Sequence, residues 1–110
     1  MSENIVNEYQ DFVKETYKYD FNNYNLMYLS NGMGGECGEV QNEVKKLYRV
    51  LQNEDLEKTH LLEVIQRKDN IKKELGDVLW YVFAMANQLQ LNVSDIIRVN
   101  IEKNSKHKKI

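Results

Sequence analysis

Four carboxylates of this chain fall into two spaced pairs. Glu36 and Glu39 form E-x-x-E, and Glu74 and Asp77 form E-x-x-D. On a helix, residues three apart are neighbours, so each pair projects from one face. A solvated face explains a single pair well in a chain with 29% charged residues. Here both pairs border an apolar stripe: Glu36 lies between Met33 and Val40, and Glu74 between Ile71 and Val78. If the two helices fold back on one another, four carboxylates converge. Ionised together they repel, and their pKa values rise. A divalent cation relieves that repulsion. An all-oxygen donor set selects a hard ion, Mg²⁺ or Mn²⁺ as its substitute. No histidine joins the four acids, which disfavours zinc and the E-x-x-H di-iron pattern.

The glycines accompany the acids. Four of the five stand in GMGGECG at 32–38, and Gly76 stands inside ELGD. In a helix interior each costs about 1 kcal/mol relative to alanine. Close backbone approach by a second helix or by a ligand would explain them. For Gly34 and Gly38, spaced i to i+4, the two explanations weigh equally. Cys37, between them, reads as a small core residue.

Helices must carry these groups. The chain has no proline, and no stretch alternates with period two for long enough to be a strand. Four helical segments are expected. The first covers 5–19, with Ile5, Tyr9, Phe12, Val13 and Thr16 on one face. The second covers 24–51, with apolar steps of three and four at Leu26, Leu29, Met33, Cys37, Val40, Val44, Leu47 and Leu51. Residues 52–58 read as a loop. The third covers 61–89, with Leu61, Ile65, Ile71, Leu75, Val78, Val82, Met85 and Leu89 as its stripe and a weak stretch at 66–70. Asn92 is the expected N-cap of a fourth, with Asp95 completing a capping box. The fold class is all-α: an antiparallel bundle of about four helices, two long and two short, in one domain over 1–110.

The whole chain limits the function. A net charge of −2 argues against direct nucleic-acid binding. Lys103, Lys106, Lys108 and Lys109 cluster around His107, which suits either a helix C-terminus or a phosphate. The N-terminus MSENIVNEYQ has no apolar signal core, and the run 78–86 is too short to span a membrane. The single cysteine forbids an internal disulfide. A cytoplasmic protein, or one of the host cytoplasm if viral, is expected. Two long apolar stripes exceed what two short helices can cover, which favours self-association.

Two long stretches, GECGEVQNEVKKLYR (35–49) and KKELGDVLWYVFAMANQLQLNVSDIIRVNIEK (72–103), resemble the MazG-like all-α nucleoside triphosphate pyrophosphohydrolases. EYQDFVKETYKY (8–19) is similar to that family's leading helix. The resemblance implies hydrolysis of an NTP or dNTP to the monophosphate and pyrophosphate with Mg²⁺. It implies Glu36, Glu39, Glu74 and Asp77 as metal ligands, with Glu39 also the expected proton acceptor. It places Tyr81 against phosphate, and Asn100 and Lys103, as N-x-x-K, on the nucleotide. Lys45, Lys46 and Arg49 either steer phosphates or form a solvated face. Trp80, Gln10 and Phe12 are candidates for the base pocket, against core packing for Trp80 and Phe12. A homodimer or homotetramer is implied. Two departures stand out: residues 40–73 make a long interval between the motifs, and His107 occupies a position where the family often has arginine. Narrower dUTPase- or dCTPase-type specificity, a nucleotide-holding regulatory module and a catalytically inactive interaction module share the same frame.

Overall fold

The computed structural model describes residues 2–16, 23–52 and 58–105, with side-chain surroundings for 5–16, 25–52 and 60–105. Its elements are α1 (Ser2–Thr16), α2 (Asn23–Leu51), α3 (Lys58–Gln88) and α4 (Val93–Ser105). Among the described residues there is no strand, and the all-α class holds. The weak stretch at 66–70 does not unwind; α3 runs through it and begins inside the expected loop, at Lys58. Gln66 and Asn70 pair across one turn at 3.0 Å, and Lys73 meets Asp69 at 3.3 Å, so polar contacts along the helix replace apolar ones there. The expected end of the first helix, at Tyr19, lies outside the described residues.

The chain divides into two compact units, residues 1–29 with 82–110, and residues 30–81. In the first, α1 packs against the end of α3 and the start of α4. Tyr9 meets Phe83 edge-on at 4.8 Å. Every described residue that is buried belongs to this unit, namely Gln10, Val13, Asn25, Leu29, Phe83, Ala84, Ala86, Gln88 and Val93.

The α3–α4 corner is closed by backbone and side-chain caps. Gln90 is left-handed (φ 57°). Gln90 N donates to Asn87 O at 3.1 Å and Leu91 N to Ala86 O at 2.8 Å. This is the paired-bond Schellman ending of a helix, built on a glutamine where glycine is usual. Asn92 then caps α4 as expected, its Oδ1 accepting from Asp95 N at 3.2 Å. The reciprocal half of the capping box is replaced: Asp95 turns to Arg98. Gln10 of α1 supplies the remaining bonds. Its Nε2 donates to Asn87 Oδ1 and to Leu91 O, both at 2.8 Å, and its Oε1 accepts from Val93 N at 2.9 Å. Val93 opens α4, so α1 satisfies one of the orphan N–H groups of another helix.

In the second unit, α2 residues 30–51 and α3 residues 58–81 run antiparallel: Gly32 lies under Tyr81, while Glu36 lies beside Glu74 and Asp77. None of its described residues is fully buried. Val44, Tyr48 and Leu51 on α2, and Leu61, Leu62 and Ile65 on α3, are exposed. The apolar stripes are real as periodicity, but within a single chain much of them faces outward. Cys37 follows the same pattern. It is exposed, not a core residue: no described residue covers the stripe position it occupies.

Candidate metal site

Antiparallel pairing of α2 and α3 brings one acid of the first motif to both acids of the second. Carboxylate oxygens of Glu36, Glu74 and Asp77 all lie within 4.8 Å of one another. Glu36 and Glu74 are half-buried and Asp77 is exposed. Glu39, one turn along α2, lies outside this cluster. Its charge still reaches it: partial desolvation, then the carboxylates of Asp77, Glu36, Glu39 and Glu43, push the Glu74 carboxyl above its ordinary range. Like charges three residues apart on one helix and across to the next make ionisation of Glu74 costly.

Nearby bases do not relieve the crowding. Among the described residues, Lys46 pairs with Glu43 at 3.3 Å, Arg67 with Glu63 at 3.7 Å and Lys73 with Asp69 at 3.3 Å. None pairs with Glu36, Glu74 or Asp77. The donor set is therefore all oxygen, strongly negative and uncompensated, which fits a hard divalent cation. Among the described residues no imidazole or thiolate joins the group.

Glu43 was not singled out by the motif pattern. It continues the acidic row one turn beyond Glu39, at i+7 from Glu36, and that heptad spacing was the available signal. Its side chain is only 13% exposed, and one of its oxygens, Oε1, is buried without a hydrogen-bond partner.

The remaining expected residues fall in different places. Tyr81 follows Asp77 by one turn and lies on Gly32. Trp80 is half-buried and meets the Tyr81 ring edge-on, 5.1 Å between centroids. Lys46 is held by Glu43, so its ammonium is committed within its own helix. Asn100 and Lys103 stand one turn apart on the exposed face of α4, in the first unit, where Asn100 Oδ1 accepts from Asn104 at 3.0 Å. Lys106, His107, Lys108 and Lys109 lie outside the described residues. Gln10 does not serve as a free base-reading amide, because its donors and its acceptor are taken up by the α3–α4 corner. Phe12 is neither core nor free of neighbours: it is half exposed and stacks on Tyr9 at 6.0 Å.

The glycines divide sharply. A Cβ added at Gly34, Gly35, Gly38 or Gly76 meets nothing within 4 Å, so these four do not serve a close helix contact within the described chain. Only Gly32 is pressed, by the Tyr81 ring.

Residues 26–110 match the MazG nucleotide pyrophosphohydrolase domain, and the chain belongs to that family. It is similar to the Gene 37 protein of Mycobacterium phage L5, at 37% identity over 78 residues, which is 71% of this chain and 61% of the relative. The chain thus spans less than two thirds of that relative's length. No solved structure matches it. No helix among the described residues is long and apolar enough to cross a membrane.

Proposed function

We propose that this chain is a Mg²⁺-dependent nucleoside triphosphate pyrophosphohydrolase, converting an NTP or dNTP and water to the monophosphate and pyrophosphate. The observation that carries this reading is the convergence of Glu36, Glu74 and Asp77 with no basic partner among the described residues, in a chain of this family. Mg²⁺, or Mn²⁺ in its place, would be held by these three with Glu39 beside them. When bound, such an ion lowers the pKa of water and offsets charge on phosphate oxygens.

The chain's own groups supply the rest. Glu36 and Asp77 fix the negative patch from two helices, so a triphosphate without a cation is repelled. Glu39 stands next to the cluster but outside it, as suits a carboxylate that accepts the proton of the attacking water. Water adds to the α-phosphorus, the bond to the bridging oxygen breaks, and pyrophosphate leaves with that oxygen. Tyr81, one turn from Asp77, offers a phenol to the phosphates.

The uncovered apolar residues of α2 and α3 support a homodimer or homotetramer as the working form. A second copy of the same antiparallel pair would cover them as one helix layer covers another.

The test is pyrophosphate release from a panel of NTPs and dNTPs, with Mg²⁺, for wild type and Glu39→Gln. Loss of release in the variant is expected, and the preferred base separates a broad enzyme from a dUTPase- or dCTPase-type one. Binding without turnover in the wild type would favour a regulatory module, and neither binding nor turnover an interaction module.

A further inference from the structure

We infer that Gly32 is a positioning residue: it seats the Tyr81 ring directly on the α2 backbone, and this contact sets the α2–α3 separation at which Glu36 meets Glu74 and Asp77. The inference rests on the metal-site reading above and adds a residue to it.

The geometry is specific. A Cβ built on Gly32 would lie 2.5 Å from Tyr81 Cζ and 2.8 Å from its hydroxyl oxygen, well inside carbon contact distance. At the other four glycines it would meet open space. Gly32 stands one turn before Glu36 on α2, and Tyr81 one turn after Asp77 on α3. The contact therefore lies one turn from the acids on both helices at once. Trp80 holds the ring from the side, near-perpendicular at 82°, which restricts its escape. A methyl at Gly32 displaces the ring: either the ring end of Tyr81 turns aside, or ring and helix part by more than about 1 Å to restore ordinary contact. A spread of that size moves Glu36 away from its partners across the pair.

The chain carries its own gauge. It has one tryptophan, Trp80 on α3, and one cysteine, the exposed Cys37 on α2. A bimane dye on Cys37, quenched by Trp80, reads the helix separation without any metal. Mn²⁺ titration followed by electron spin resonance reads the acids without nucleotide. The variants are Gly32→Ala, Gly32→Ala with Tyr81→Ala, and Gly34→Ala as the matched control. All three are compared at equal far-UV helicity, which alanine in a helix favours.

Gly32→Ala is expected to reduce quenching and to weaken Mn²⁺ binding about tenfold, the lower end of what loss of an outer-shell partner costs a metal site. Removing the ring in the double variant is expected to recover most of both. Gly34→Ala is expected to change neither. Unchanged quenching in Gly32→Ala overturns the inference whether or not Mn²⁺ binds. Reduced quenching with wild-type Mn²⁺ affinity overturns it too. A wild type that binds no Mn²⁺, with quenching altered as expected, refutes the metal reading while the spacing role of Gly32 stands.

Discussion

Replacing Gln10 with leucine tests whether this residue is a clamp or a base reader. The substitution removes three hydrogen bonds, two donated by Nε2 at 2.8 Å and one accepted by Oε1 at 2.9 Å. Each is worth about 1 kcal/mol net. It also strands Val93 N–H, on a residue only 3% exposed, at a further cost of about 1–3 kcal/mol. Asn87 Nδ2 still reaches the Gln10 carbonyl at 3.2 Å, so that bond survives. Leucine recovers part of the loss as buried apolar surface, about 1.5 kcal/mol. The net expectation is a loss of about 2.5–4.5 kcal/mol, or about 12–22 °C in melting temperature for a domain of this size. Urea unfolding followed by far-UV circular dichroism, at fixed protein and Mg²⁺ concentration, measures it. Nucleotide preference of the folded variant should match wild type. A stability loss below about 1 kcal/mol, set against the same bond values, would refute the clamp. A changed base preference at unchanged stability would return Gln10 to the substrate.

Other outcomes follow from the same contacts. Because the Glu74 pKa is raised, its contribution to stability is fully present below the ordinary value of 4.5 and is lost as pH rises through the folded-state pKa. Above that pKa the cation-free Glu74→Gln variant should therefore resist urea better than wild type, yet lose the stabilisation that Mg²⁺ gives the wild type; a melting series with and without Mg²⁺ across pH reads both. Protons compete with the ion at the same carboxylate, so Mn²⁺ affinity should fall as pH drops through the raised Glu74 pKa, as calorimetric titration would show. Gln90→Gly should stabilise the chain by about 1 kcal/mol, since it removes a left-handed residue with a Cβ while keeping both closing bonds; thermal melting decides. Light scattering after size exclusion should give a dimer or larger, and a monomer at micromolar concentration would remove the basis for a second copy.

Much of this was legible from residue spacing. Steps of three and four, without proline, suffice for α2 and α3, and Asn92 announces α4 by the chemistry of its side chain. The meeting of Glu36 with Glu74 and Asp77 follows from pairing two motifs that flank apolar stripes. Burial was less legible. Cys37 and Val44 share the period of Leu29, but periodicity marks a face and not what covers it, and in this chain those two are exposed. The bonds of Gln10 were hidden for a related reason. Its partners at 87, 91 and 93 are distant in sequence, and no local pattern distinguishes a buried amide that closes a corner from an exposed one that reads a base. The same holds for Gly32, whose neighbour is a ring on another helix.

The division between the two units has a thermodynamic consequence for the acids. Residues 30–81 carry them on two helices with no fully buried described side chain, while the buried set sits elsewhere in the chain. Local opening of a segment costs little when few apolar contacts are lost. Backbone amides of α2 and α3 beside the acids should therefore exchange with deuterium sooner than those around Phe83 and Val93. Whatever bridges the carboxylates, or covers the outward stripes, slows that exchange by mass action. Order at the acids is then a function of what is dissolved around the chain: one unit is firm by its own burial, the other depends on what it binds.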